Sequence, residues 1–343
     1  MRNMTVTVAG IDCGTNSIRL MVARISSDGS MEVVVPRIMR VVRLGQDVDK
    51  IHRFSPEALK RTFAAIDEFA QVLSAHKPDA LRFVATSATR DAENRDDFDR
   101  YVFNRLGVHP DVIPGQEEAR FSFLGATSVV DASLHRPPYL VMDLGGGSTE
   151  LVLGGDGRSL SSHQVAQSYS MDMGSVRVSE RHLLSDPPTD NQIQEASADI
   201  DRSLDLACAA VDLSQTGTFI GVSGTVTTMA GVALGLKEYN RQAIDGVTFS
   251  LDDIFRVDQK VLFMTRQERG QLGVIHPGRL DVIGGGALIL TQVLARTRRC
   301  LAARGEQLTS LTVSEHGLLD GIVRDLGMKL LTSCHNSEDV SST

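Results

Sequence analysis

The sequence has no tryptophan, four cysteines in 343 residues, and aromatic side chains at only 5%. The cysteines, at 13, 208, 300 and 334, are far apart and form no Cys-x-x-Cys pair, which argues against a zinc site and a disulfide framework. So few rings leave little for a base-stacking platform, and a net charge of −8 gives no basic field for a nucleic-acid coat. No apolar run approaches the roughly 18 residues of a membrane span. The opening Met1-Arg2-Asn3-Met4 runs straight into a strand-like segment, without the apolar stretch of a signal peptide. The expectation is a cytoplasmic chain with no nucleic-acid and no membrane partner; if its substrate is an anion, the positive field that holds it is local.

What is present is an alternation of strands and helices. At about 150 residues per domain the length implies two domains. Strand-like segments at 5–11 and 18–25 flank the turn Asp12-Cys13-Gly14-Thr15-Asn16-Ser17, and a third strand covers 31–43. Ser55-Pro56-Glu57 supplies an N-cap serine, a proline in the first turn and an acid. Leu59, Phe63, Ile66, Ala70 and Leu73 then recur on one helical face, and Pro78 closes the element. A strand at 81–86, a helix at 92–106, a short strand at 111–113 and a helix from 117 follow. Beyond the breaker His135-Arg136-Pro137-Pro138 the pattern restarts with Tyr139-Leu140-Val141-Met142, which runs into Asp143-Leu144-Gly145-Gly146-Gly147-Ser148-Thr149-Glu150. A strand at 218–222 leads into Ser223-Gly224-Thr225, and Ile283-Gly284-Gly285-Gly286 opens an apolar helix. Ser314 reads as the cap of a last helix that stops near Gly327. Such alternation indicates an α/β architecture.

The informative feature is a repeat. Strand, Asp-x-Gly-small-x-Ser, strand occurs at 12–17 and again at 143–148, an offset of 131 residues. An internal duplication at domain spacing implies two similar halves. The expected boundaries are 1–131, with the helix 314–327 packed back on it, 132–313, and a flexible tail at 328–343. Turns of successive glycines and small hydroxyl residues expose backbone N–H groups suited to phosphate oxygens. An aspartate at each strand end would repel phosphate unless a divalent cation sat between them, and hard oxygen ligands suit magnesium. One such turn alone reads as an ordinary hairpin; two in register do not. No Gly-x4-Gly-Lys-Ser/Thr loop is present. Gly221-Val222-Ser223-Gly224-Thr225 has threonine where a nucleophile elbow needs glycine, so it reads as a third nest.

The ordered series DCGTNSIRL, VRLGQ, ATSATRD, GQEEAR, DLGGGSTE, GVSGT, HPGRLDVIGGG and SEHGLLDGI, spread over nearly all of residues 6–327, resembles the exopolyphosphatase/guanosine pentaphosphate phosphohydrolase (Ppx/GppA) family. That family lies within the actin, sugar-kinase and chaperone-ATPase superfamily. The resemblance implies two duplicated actin-like (ribonuclease H-like) α/β domains with mixed sheets facing a central cleft. It implies hydrolysis of a terminal phosphoanhydride by water, chemistry that rests on positioning and charge stabilisation. Glu118 would be the catalytic base and Glu117 a solvated first-turn acid. Asp143 and Glu150 would be the acids of a Mg2+ site, with Mn2+ as its substitute. Asn16 and Ser148 would hold phosphate oxygens through their side chains, and Asp12 would act on the ion or its water. Gly14, Thr15, Ser17, Gly145, Gly146, Gly147, Ser223, Gly224 and Thr225 would complete the phosphate-binding turns. Arg90 would address the transferring phosphate with its fork of donors. Cys13 reads as a small buried filler, and the family implies a homodimer.

Two departures are visible. Longer family members append a helical C-terminal domain for which this chain has no room, and Ser175 stands where some members carry cysteine. A polyphosphate chain needs a basic track, for which Arg37, Arg40, Arg43, Arg177, Arg181, Arg266, Arg269 and Arg279 are candidates. Positions 37, 40 and 43 alternate faces of a strand and cannot all line one groove. Guanosine pentaphosphate needs a purine pocket near 223–235 or 283–290, where no stacking aromatic stands. Short or medium polyphosphate is therefore the first substrate expectation, with guanosine pentaphosphate or another nucleotide second. A third is an alarmone sensor with little turnover.

Overall fold

The computed structural model describes residues 4–155 and 163–340. The chain divides into two compact units, one running to Pro114 and resuming at Leu318, the other Gly115–Gly317.

The first unit holds β1 (Thr5–Cys13), β2 (Ser17–Ser26), β3 (Met31–Val41), α1 (Val48–Ile51), α2 (Pro56–His76), β4 (Ala80–Ala85), α3 (Ser87–Asp91), α4 (Arg95–Leu106) and β5 (Asp111–Val112). Its sheet runs β3-β2-β1-β4-β5, antiparallel from β3 to β1 and parallel from β1 to β5. The Ser55 hydroxyl accepts from the Ala58 N–H and caps α2, while Lys77 in a left-handed conformation ends it. The buried stripe of α2 is Ala58, Thr62, Ala65, Ile66, Phe69 and Leu73; Leu59 and Phe63 sit at its edge. With α4, this helix covers one face of the sheet.

The opposite face, with Val8, Met21, Ala23 and Ile25, is covered by the C-terminal helix Leu318–Val340 through Leu319, Val323 and Leu331. That helix does not stop near Gly327. A Cβ at Gly327 would sit 2.3 Å from Ile25 Cγ1, so this glycine lets the helix lie close on β2 instead of ending it. Nor is Ser314 its cap: the Ser314 hydroxyl accepts from the His316 N–H at 3.1 Å, and helical structure begins at Leu318. Of the segment read as a tail, 328–340 is helical and 341–343 lies outside the described residues.

The second unit holds α5 (Gly115–Thr127), β6 (Tyr139–Leu144), β7 (Thr149–Gly154), β8 (Val165–Met171), α6 (Ser175–Arg181), α7 (Asp190–Ala210), β9 (Thr218–Val222), α8 (Ser223–Ala233), α9 (Arg241–Ile244), β10 (Thr248–Ser250), α10 (Leu251–Phe263), α11 (Arg266–Gln271), α12 (Ile283–Ala302) and β11 (Ser310–Val313). Its sheet, β8-β7-β6-β9-β11-β10, repeats the first strand for strand and adds β10 at the edge. β6 is buried along its whole length because both faces are covered. Leu140, Met142 and Leu144 join the large core with α7, α8, α10 and α12. Tyr139 and Val141 meet Ala119, Phe123 and Ala126 of α5.

The unit boundary thus falls before α5, not at 131. Ser122, Gly125 and Thr127 are poor helix formers that cost α5 about 2 kcal/mol. Full burial of Phe123, at roughly 1.5–3 kcal/mol, together with Ala119 and Ala126, offsets that and ties the helix to the second sheet.

One core position is costly. Asp258 on α10 is 1% exposed, accepts from the Thr291 hydroxyl at 3.0 Å, and leaves its other oxygen without a hydrogen-bond partner. Burial, opposed by the Thr291 bond, pushes its carboxyl well above the usual range. A folded-state value above the unfolded one means that stability falls as pH rises past about 4, by up to about 1.4 kcal/mol per pH unit until the folded group ionises. Asp258→Asn is therefore expected to melt above the wild type at pH 8, with the gap closing as pH approaches about 4. Thermal melts across that range test it; a gap independent of pH rejects the cause.

Candidate active site

The two halves close their glycine turns in the same way. Gly14 N–H donates to Ser17 O at 3.0 Å, and Gly145 N–H donates to Ser148 O at 3.0 Å. Register then places Asp12 opposite Arg19 and Asp143 opposite Glu150. Directly opposed residues of an antiparallel pair point to one face, so each aspartate looks at its partner.

In the first unit that partner is positive. Arg19 Nη1 donates to Asp12 Oδ2 at 2.8 Å, with Asp12 2% exposed. Thr15 Oγ1 and Ser87 Oγ share a hydrogen bond of 2.9 Å, and the Thr15 and Asn16 carbonyls accept N–H groups from Val42, Arg43 and Gly45. Ser17 is buried and Asn16 half-buried. Arg90 Nη1 donates to Ile113 O at 2.7 Å, which fastens α3 beside β5. Burial, and to a lesser degree Asp12, push the Cys13 thiol far up, so it is a packing group rather than a reactive thiolate.

In the second unit the partner is another acid. Asp143 is 4% exposed, Glu150 1% and Glu118, from the first turn of α5, 6%. Asp143 Oδ1 accepts from Ser223 Oγ at 2.5 Å and Oδ2 from Ser122 Oγ; Glu150 Oε1 accepts from Ser170 Oγ at 2.7 Å. Burial, then the carboxylates of Glu118 and Asp143, drive Glu150 well above the usual carboxylate range. Glu117, one residue earlier, is only half-buried, since neighbours on a helix point about 100° apart.

The Gly145 and Gly146 carbonyls accept N–H groups from Ser175 and Val176 at the start of α6, at 3.0 and 2.8 Å. A Cβ at Gly174 would lie 2.3 Å from the Gly146 carbonyl, so α6 approaches the turn backbone to backbone. Ser223 opens α8 with φ of 74°, a left-handed conformation that a serine adopts only under constraint. Gly224 O accepts from Arg279 Nη1 at 2.8 Å, and Thr225 packs against Gly286.

Glu118, Asp143, Glu150 and the turns 145–148 and 223–225 are thus brought together in one unit, while Asp12, Gly14, Thr15, Asn16, Ser17 and Arg90 belong to the other. Among the described residues no group of three or more His, Cys, Asp or Glu side chains is gathered to enclose a metal. Facing carboxylates oriented by serine hydroxyls nevertheless suit Mg2+, which takes one or two carboxylates and completes its shell with water and phosphate.

Several arginines named as a basic track are otherwise engaged. Arg269 is buried and donates to the carbonyls of Val261, Leu262 and Leu280, and Arg40 pairs with Glu68. Of the two stretches named for a purine pocket, Gly284 and Gly285 border a cavity of about 260 Å3, whose lining residues include no aromatic ring. Sequence reasoning missed Arg19, Ser122, Ser170 and the anchoring by Arg279. Arg19 was within reach, because it stands 131 residues before Glu150, the same offset as the turns. Ser122 carries a weaker signal, a hydroxyl four residues after Glu118 on an otherwise apolar face.

Two sheets on one repeated plan, one of them ending in a buried carboxylate cluster beside a glycine turn, define an α/β enzyme of the phosphate-handling kind. The sequence pattern of the Ppx/GppA phosphatase family matches residues 21–326, and the chain belongs to that family of hydrolases. It is 42% identical over 326 residues to Exopolyphosphatase 2 of Mycobacterium tuberculosis, covering 93% of this chain and 98% of that protein. The crystal structure of an exopolyphosphatase-like protein superposes with a TM-score of 0.93 at 58% identity, over 95% of this chain and 99% of that one. A Ppx/GppA enzyme of Aquifex aeolicus superposes with a TM-score of 0.74 at 25% identity, over 94% and 100%. No helix among the described residues is long and apolar enough to cross a membrane.

Proposed function

We propose that the protein is an exopolyphosphatase that releases terminal orthophosphate from inorganic polyphosphate, with short to medium chains favoured. The observation that carries this reading is the convergence of Glu118 with Asp143 and Glu150 beside the turn Gly145–Ser148. The similarity to proteins named exopolyphosphatases supports it.

Backbone N–H groups of residues 146–148 and of the 223–225 turn, with the Ser148 hydroxyl, hold phosphate oxygens and orient the terminal group. Glu118 aligns the attacking water and takes its proton, work that a positioned carboxylate does for about 10²–10⁴-fold in rate. Asp143 and Glu150 hold Mg2+, which when bound offsets the negative charge of the phosphate oxygens. Without a cation the buried acids repel one another and the anionic substrate.

The test is Mg2+-dependent phosphate release from short polyphosphate, long polyphosphate and guanosine pentaphosphate, side by side, with Glu118→Gln as the blank. Release from polyphosphate supports the reading, and the short-to-long ratio reports chain preference. Release from the guanosine compound alone transfers the activity to that substrate; silence on all three with binding intact indicates a sensor. Asp143→Asn is expected to raise the half-saturating Mg2+ concentration by about tenfold or more. An unaltered metal titration rejects its role.

A further inference from the structure

Several buried threonines in the helices of this chain bond back to their own helix, whereas the Ser122 hydroxyl reaches across to another element. Thr62, Thr127, Thr228 and Thr297 each donate to the carbonyl four residues back, at 2.8, 2.7, 2.6 and 2.9 Å. That bond is the ordinary local outlet for a hydroxyl inside a helix. Ser122, fully buried between Phe121 and Phe123, donates instead to Asp143 Oδ2 on β6. A hydroxyl hydrogen serves one acceptor at a time, so the group that could have closed on its own helix is spent on the sheet.

Ser122 lies four residues after Glu118, and residues at that spacing are neighbours on one helical face. The same face of α5 is fixed near its start as well. Gly115 lies directly against Ser170, whose side chain fills the space of a Cβ there, and Ser170 donates to Glu150 Oε1. Between these two fastenings sits Glu118. Asp143 is in turn held from both sides, by Ser122 at Oδ2 and Ser223 at Oδ1. Outer groups that fix a ligating carboxylate typically matter about 10–100-fold in metal affinity or activity.

We propose that Ser122 is a positioning residue of this site. Its hydroxyl sets the direction of the Asp143 carboxylate and the seating of α5, so that the acid of the metal site and the base, Glu118, are aligned by one hydrogen bond. The inference rests on the reading of Asp143 and Glu118 given above.

The experiment compares Ser122→Ala, Ser122→Thr and Ser122→Val in the full chain. Threonine and valine add the same methyl group, so crowding cancels between them and their difference reports the hydroxyl alone. Three quantities are measured: kcat and KM for phosphate release from polyphosphate, the half-saturating Mg2+ concentration, and the Mg2+-induced rise in melting temperature without substrate. Alanine and valine are expected to need roughly tenfold more Mg2+ and to lose about tenfold in kcat with KM within about twofold. Threonine is expected to stay within about threefold of the wild type. Equal Mg2+ requirements for threonine and valine, or an alanine variant with wild-type values, overturn the proposal. If the wild type releases no phosphate from polyphosphate, the substrate reading fails, while the melting shift still separates threonine from valine or equates them.

Discussion

Replacing Glu118 with glutamine is expected to lower phosphate release from polyphosphate by about 10²–10⁴-fold while KM stays within about twofold. Glutamine keeps the shape of the side chain and its place on α5 but takes no proton from water. A base acts on the attacking water in the transition state, so ground-state affinity is spared. The same substitution carries a second, opposite signature. Glu118 presses on Glu150, a fully buried acid already raised by desolvation and by Asp143. Removing one of the two negative charges that press on this buried acid relieves repulsion, so the variant is expected to melt above the wild type in metal-free buffer. Full activity would falsify the assignment of the base. A lower melting temperature would show that Glu118 is a structural member of the cluster.

The second large effect is expected from Gly174→Ala. The added Cβ would lie 2.3 Å from the carbon and oxygen of Gly146 and 2.5 Å from Gly147 N, all backbone atoms that no rotamer change can move aside. Either α6 or the 145–148 turn must shift, and α6 is the element whose Ser175 and Val176 N–H groups hold that turn. Overpacking of this kind costs about 1–3 kcal/mol, and a displacement near 1 Å at a reacting centre costs about 10²-fold in rate. Both kcat/KM for polyphosphate and the melting temperature are expected to fall. Gly270→Ala is the matched control, because its Cβ meets only Leu280 Cδ1 at 3.7 Å. Equal behaviour of the two variants would refute the close-approach argument.

Local rules made much of this molecule legible. Ser55-Pro56-Glu57 announced α2, and the recurrence of Asp-x-Gly-small-x-Ser announced two matching sheets whose strand orders agree. Failures came where a residue type has two physical uses. Gly327 resembles a helix stop, yet its missing side chain serves contact with Ile25. Ser314 resembles a cap, yet its hydroxyl serves His316 two residues on. The boundary near 131 followed the Pro-rich breaker, whereas α5 was claimed earlier by the apolar face of β6 and β7, a preference that arises only once the sheet exists. Site legibility divided along the same line. The acids and glycines sit in sequence motifs, but Ser122 and Ser170 gain meaning from what lies across from them, and no spacing rule within one segment encodes that.

The two sheets share one strand order, and at one pair of equivalent positions, 19 and 150, their hairpins carry opposite charge. Arginine at 19 gives the first hairpin its own counter-ion at 2.8 Å. Glutamate at 150 instead sets a second acid opposite the aspartate of the other hairpin. One hairpin is thereby neutralised within itself, while the other carries two facing acids whose mutual repulsion the fold must bear. The sign of one side chain is enough to give two like-built hairpins opposite electrostatic characters.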